Sequence, residues 1–327
     1  MTARILVGDC REVMATLPEA SVQCVVTSPP YFGIRDYGTA GQIGLEATVE
    51  EYVAQMVAVF DGVRRVLRDD GTVWLNMGDC YSSGNSGQRV RDNNGGFQPG
   101  LSTRTQDATA ANPGRKPIAG MKTKDLIGIP WRVAFALQAN GWYLRSDIIW
   151  HKPNPMPESV TDRPTKAHEY VFLLTKSARY YYDAAAVAEP VTRSSGGWQS
   201  RQRKVLLSAG SSTLTTTNRN DGGVCTGSGV TGVGRNRRSV WTIATRPYAE
   251  AHFATFPPAL VEPCIKAGSK AGDVVLDPFA GAGTTLLVAE RLGRDSIGIE
   301  LNPTYAEMTA ARVKDDAPLL SRVEVCA

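Results

Sequence analysis

Val25-Val26-Thr27-Ser28-Pro29-Pro30-Tyr31 closes an apolar run that begins at Ser21. The run is rich in β-branched residues and reads as a buried parallel strand. The two prolines fix φ and remove two backbone donors, so the chain beyond Thr27 can join neither a ladder nor a helix. What remains is a stiff loop at the carboxyl end of a strand, where open α/β sheets bind their ligands. It presents one hydroxyl, carbonyls without local partners and one aromatic ring. Alone, the stretch fits a proline-terminated strand with a packed tyrosine equally well, so the surrounding chain decides.

Outward from this loop the elements alternate. Arg4 to Asp9 reads as a short strand ending on an acid, and Arg11 to Leu17 as a short helix stopped by Pro18. Phe32 to Gly38 is a glycine-punctuated loop expected to cover the site. Glu50 to Leu67 has the apolar spacing of an amphipathic helix, with Thr48 and Glu51 placed for a capping box. Gly71 to Met77 is the next strand, which completes the pattern of a doubly wound sheet. Asp125 to Asn140 reads as helix, and Trp142 to Trp150 and Glu169 to Thr175 as a hairpin-like pair of strands. Pro257 to Ala267 and Leu286 to Leu292 read as helices, and Ser296 to Glu300 as a strand.

The second informative stretch is Val274-Val275-Leu276-Asp277-Pro278-Phe279-Ala280-Gly281-Ala282-Gly283-Thr284-Thr285. A buried strand ends on an acid, and a glycine loop then opens a helix. Gly281 and Gly283 allow backbone to approach a ligand, and a helix N-terminus with Thr284 and Thr285 suits a carboxylate. Glu300 lies 19 residues beyond Gly281 at the next strand's end, where a carboxylate can accept both ribose hydroxyls. Taken alone, this pattern also suits a dehydrogenase.

The 327-residue chain is long enough for one large α/β domain with insertions, or for two modest domains. It shows no apolar run near the roughly 18 residues that span a bilayer and no signal-peptide pattern. Its six cysteines form no Cys-x-x-Cys pair, so neither a disulfide framework nor a metal site is indicated and a cytoplasmic setting is expected. The net charge of +4 is unevenly spread: 84–124 carries +5 and 186–240 carries +6, which leaves −7 on the rest. Two basic segments on an acidic body suit a protein that meets a polyanion on one side. Both are rich in Ser, Gly, Asn and Arg, a composition that does not fold by itself.

The chain resembles the DNA amino-methyltransferases, which move a methyl group from S-adenosylmethionine to an exocyclic base nitrogen. Ser28-Pro29-Pro30-Tyr31 matches their catalytic tetrapeptide, and Asp277 to Thr285 their cofactor motif. The order of these motifs around a basic region matches the permuted class β. The resemblance covers about 4–82, 121–185 and 241–313. It implies a Rossmann-like α/β fold with a mixed, mostly parallel seven-stranded sheet, helices on both faces and a basic target-recognition insertion. Residues 1–185 would be the catalytic half with a mobile basic loop at 81–122, 186–240 the target-recognition region and 241–327 the cofactor half.

Residue by residue, the resemblance gives Ser28 Oγ and the Pro29 carbonyl as acceptors for the amine hydrogens, and Tyr31 as the ring stacked on a flipped base. Asp9 would meet the adenine amino group, Glu300 the ribose, Phe279 the cofactor's flank, and Phe256 with His252 its methionine end. Trp150 and Lys152 would help hold the base. Arg201, Arg203, Lys204, Arg235, Arg237 and Arg238 would contact double-stranded DNA. Cytosine N4 is favoured over adenine N6, because the family links a serine tetrapeptide more often with cytosine. A methyltransferase acting on RNA or protein glutamine is a rival, as is a non-catalytic DNA-binding module. A cognate restriction endonuclease and a homodimer are both compatible with the resemblance.

Overall fold

The computed structural model describes residues 1–34, 36–82, 89–91, 97–99, 121–190, 234–246, 255–316 and 322–326. In chain order the first half holds β1 (Thr2–Val7), α1 (Cys10–Thr16), β2 (Val22–Thr27), α2 (Val49–Val66) and β3 (Leu67–Met77). A separate antiparallel ribbon follows, β4 (Arg89–Arg91) with β5 (Phe97–Pro99). Then come α3 (Ile129–Ala139), β6 (Tyr143–His151), β7 (His168–Thr175) and β8 (Val240–Thr242). The last part holds α4 (Pro258–Gly268), β9 (Val274–Asp277), α5 (Thr284–Arg291), β10 (Asp295–Glu300), α6 (Pro303–Asp316) and β11 (Arg322–Cys326).

Nine strands form one sheet in the order β11-β1-β10-β9-β2-β3-β7-β6-β8. Within it β7 alone runs against its neighbours β3 and β6. The expected seven strands are extended by one short strand at each edge, β8 and β11. β8 begins at Val240, so the expected boundary between 240 and 241 cuts through a strand. Trp241 at its centre is buried between two exposed neighbours, a period-two signal three residues long and too short to read from sequence.

Side chains alternate across the sheet, and each face buries its own cluster. Val73, Leu75 and Met77 of β3 join Met14, Tyr52, Met56, Phe60, Val133 and Leu137 from α1, α2 and α3. Trp74 points the other way, into a cluster with Val261, Ile265, Leu286, Ala306 and Val313 from α4, α5 and α6. β2 is buried along its whole length, as a central parallel strand must be. α2 starts on the expected capping box: Thr48 Oγ1 accepts from Glu51 N at 3.2 Å, and Glu51 Oε2 accepts from Thr48 N at 3.1 Å. The strand order reverses direction between β9 and β2, which opens a crevice at their carboxyl ends.

Candidate active site

The two informative stretches end on neighbouring strands. β2 pairs in parallel with β9, Val25 opposite Leu276, so the Ser28 loop and the glycine loop leave the sheet side by side. Asp277 braces them. Its Oδ1 accepts from Thr27 Oγ1 at 2.7 Å and from Phe279 N at 3.1 Å, and its Oδ2 from Thr285 Oγ1 at 2.8 Å. Burial pushes its carboxyl up to about 6, against the lowering effect of these three bonds. Asp277 and Thr285 were expected to touch the cofactor. Both are buried, and their side-chain oxygens bond each other at 2.8 Å.

The glycine loop is held from behind by α6. Thr309 Oγ1 donates to the Gly281 carbonyl at 2.7 Å, and Arg312 Nη1 to the Ala282 carbonyl at 2.6 Å. Arg312 Nη1 also reaches Thr284 Oγ1 at 3.1 Å, which occupies that buried side chain. At Gly283 φ is +71°, and a Cβ there would come within 2.5 Å of Thr309 Cγ2, so only glycine fits. Pro278 is buried under the loop, while Phe279 keeps a partly open face. Glu300 closes β10 with Oε2 on Gly281 N and Oε1 on Asn302 N, both at 2.9 Å. Burial raises its pKa, while these backbone bonds lower it.

Asp9 ends β1, the strand next to β10. It caps α1 by accepting from Arg11 N at 2.8 Å, and the Arg11 guanidinium holds its carboxyl below the usual range. Asp9, Glu300 and the glycine loop therefore line the carboxyl ends of three adjacent parallel strands. A row of this kind, two carboxylates and a loop that leaves no room for a side chain, fits a ligand carrying a ribose, an amino-substituted ring and a carboxylate.

The Ser28 loop carries a polar network that the sequence reading did not contain. Asn76 and Glu169 come from β3 and β7, whose antiparallel register sets Asn76 opposite Val171 and puts Glu169 two residues on, on the same face. Asn76 Nδ2 lies 3.3 Å from Ser28 Oγ, 3.0 Å from Tyr31 Oη and 3.0 Å from Glu169 Oε2. Tyr31 Oη donates to Glu169 Oε2 at 2.8 Å, and Lys152 Nζ pairs with Glu169 Oε1. Burial and the Glu169 charge raise the Tyr31 pKa well above its ordinary value, so the phenol stays protonated. The Tyr31 ring lies against Gly78, where a Cβ would come within 2.7 Å of Tyr31 Cε2. Tyr52 Oη satisfies the Pro30 carbonyl at 2.8 Å, while the Pro29 carbonyl accepts no hydrogen bond from the described residues.

A family model for DNA methylases of the N6/N4 type matches residues 22–311. The chain belongs to that DNA methylase family. It is 48% identical over 307 residues to the type II methyltransferase M.XycI of Xanthomonas campestris pv. cyanopsidis, covering 94% of this chain and 86% of the relative. Against M.Cfr9I of Citrobacter freundii it is 45% identical over 321 residues, covering 98% and 91%. Among solved structures it is similar to TTHA0409 of Thermus thermophilus in complex with S-adenosyl-L-methionine, at 25% identity and a TM-score of 0.58, covering 99% of this chain and 100% of that one. The PvuII cytosine-N4-specific DNA methyltransferase shares the fold at 19% identity and a TM-score of 0.61, covering 99% and 95%. S-adenosylmethionine is the cofactor of this family, and the row of Asp9, Glu300 and glycine loop suits it.

The residues expected on this DNA methylase's nucleic-acid side divide. Arg201, Arg203 and Lys204 lie outside the described residues, as does most of 81–122 and 186–240, and so does His252, expected at the cofactor's methionine end. Trp150, expected to help hold the base, is 3% exposed, and its Nε1 donates to the Ile243 carbonyl at 2.8 Å. Period two along β6 turns it into the cluster that holds Trp74 and Trp241. Lys152 sits 4.3 Å above the Trp150 ring and is committed to Glu169. Arg235 and Arg238 both bond Glu189 Oε2, at 3.2 and 3.0 Å, and Arg237 lies over Trp241 at 4.5 Å. Phe256 is partly buried beside α4. Among the described residues no helix is long and apolar enough to cross a membrane. Asn76 had a sequence signal, a polar residue within the apolar run Val73 to Met77, whereas Glu169 sits at the polar start of β7 beside His168.

Proposed function

We propose that this DNA methylase methylates N4 of a flipped cytosine within a specific site of double-stranded DNA. The observation that carries the reading is Ser28, a neutral hydroxyl at the acceptor position beside the cofactor loop, where the resemblance links aspartate with adenine N6. When bound, S-adenosylmethionine supplies an electrophilic methyl group on a sulfonium. Glu300 would hold the ribose hydroxyls, Asp9 the adenine amino group, and Phe279 and Phe256 the flanks. Gly281, Gly283 and the N-terminus of α5 would take the methionine part. Ser28 Oγ and the Pro29 carbonyl would accept the two hydrogens of the target amine, which favours the pyramidal nitrogen that attacks. Tyr31 would border the extruded base.

The motif order fits class β, with 81–122 and 186–240 as the basic segments that meet the phosphates. A restriction endonuclease reading the same site is the partner that kinship with type II methyltransferases suggests. The deciding experiment is to methylate duplex DNA, digest it to nucleosides and weigh them. N4-methylcytosine is expected, and N6-methyladenine in its place would overturn the assignment.

A further inference from the structure

Serine is a weak acceptor for a proton that becomes acidic as an amine is methylated. Transfer forms an N–C bond and breaks a C–S bond whose electron pair stays on sulfur, leaving the nitrogen with a positive charge and a proton to lose. Ser28 has nowhere to pass that proton unless a base stands behind it. The network described above contains one.

Its hydrogen-bond polarity follows from the chemistry of its members. An ionised Glu169 only accepts. The amide of Asn76 must therefore point Nδ2 at Oε2, and the single hydroxyl hydrogen of Tyr31 goes to the same oxygen at 2.8 Å. Tyr31 Oη then keeps its lone pairs for Ser28, whose hydroxyl donates to it at 3.3 Å. Both hydroxyl hydrogens run inward, toward Glu169. Ser28 Oγ accepts from Asn76 Nδ2 at 3.3 Å and keeps its second lone pair for the target amine.

We propose that Glu169 is the proton sink of methyl transfer, a positioning residue that acts through Tyr31 and Ser28. The reading rests on Ser28 facing the target amine. The proton leaves nitrogen for Ser28 Oγ, the Ser28 hydrogen moves to Tyr31 Oη, and the Tyr31 hydrogen moves to Glu169 Oε2. One positive nitrogen and one carboxylate become a neutral amine and a carboxylic acid, and both hydroxyls end as they began. Asn76 holds the three oxygens together without itself titrating.

The charged and titratable groups around Glu169 are Lys152 just beyond β6, Tyr31 from the catalytic loop, Lys166 before β7 and His168 at its first position. Burial lowers the pKa of Lys166, whose Nζ is buried without a hydrogen-bond partner among the described residues. Burial likewise lowers that of His168.

The test compares wild type, Glu169→Gln, Tyr31→Phe and the double variant. The readouts are single-turnover transfer, calorimetric affinity for S-adenosylmethionine, and base flipping by 2-aminopurine fluorescence at the target. Each single variant should slow transfer roughly 100-fold, the scale of general acid–base assistance. Cofactor affinity and the flipping signal should hold. The double variant should be no slower than either single, because the residues act as one chain. Tyr31→Phe leaves the Glu169–Lys152 pair in place and carries the test if Glu169→Gln does not fold. Transfer within a few-fold of wild type in Glu169→Gln, or multiplicative losses in the double, would overturn the proposal. Wild-type protein that methylates no duplex would instead sink the functional reading beneath it.

Discussion

Thr27 Oγ1 donates to Asp277 Oδ1 at 2.7 Å, joining residues 250 positions apart at the ends of neighbouring strands. The catalytic loop and the cofactor loop are thus fixed to one carboxylate, and that carboxylate is buried. Its folded pKa of about 6 stands above the ordinary 3.8. Below about pH 4 the group is neutral folded or unfolded, and the stability that this neutrality contributes is fully present. Raising the pH through 6 removes it, because the ionised form must be desolvated. Replacement by Asn removes the titration. Urea unfolding should show Asp277→Asn gaining about 3 kcal/mol on wild type between pH 4 and 7, from a shift of roughly two pKa units.

Gly283 has no room for a Cβ in front of Thr309 and sits at φ +71°. Gly283→Ala should therefore cost about 2 kcal/mol of stability, seen as a lower melting temperature. Cofactor affinity should fall with it. An unchanged melting curve would mean that α6 yields to the methyl group.

Glu300 is pinned by Gly281 N and Asn302 N. Glu300→Gln keeps the shape and loses the charge. Hydrogen bonds to a charged group contribute roughly 1.5–3 kcal/mol, so calorimetry should report roughly 10- to 100-fold weaker S-adenosylmethionine binding. DNA affinity should not change.

Arg201, Arg203 and Lys204 put three basic residues within four positions of the 186–240 segment. If each neutralises a phosphate, their replacement by Ala should lower the slope of log K against log salt by about 3. Cofactor affinity should stay as it was. Equal slopes would remove these residues from the interface. Arg235 and Arg238, already paired with Glu189, should give smaller effects when replaced singly.

What was legible in the sequence was punctuated locally. Prolines after Thr27 and glycines after Asp277 mark strand ends whatever lies beside them, and both loops were found with their strands and with the capping box of α2. Glu169 and Asn76 could not be paired from sequence, because their meeting depends on the register of β3 against β7, nearly a hundred residues apart. The burial of Trp150 was equally hidden, because its side is set by alternation along β6. Asp277 was correctly seen as a strand-end acid, but its partners come from β2 and α5. The helix α6 was missed because its hydrophobic stripe is weak. Beside Ala306 and Val313 in the core, it contributes polar contacts to the glycine loop through Thr309 and Arg312.

The reversed direction of β7 has a consequence for tolerance to insertions. A parallel strand could offer this cleft only its end, whereas β7 offers its beginning, and Glu169 is the second residue of that beginning. One residue added between Glu169 and Val171 would swing the carboxylate to the opposite face of the sheet while leaving the rest of the ladder paired. The same addition in the turn that follows Thr175 would leave the carboxylate where it is. Length variation along this chain should therefore be accepted or refused within a span of a few residues, according to which side of the β3–β7 ladder it enters.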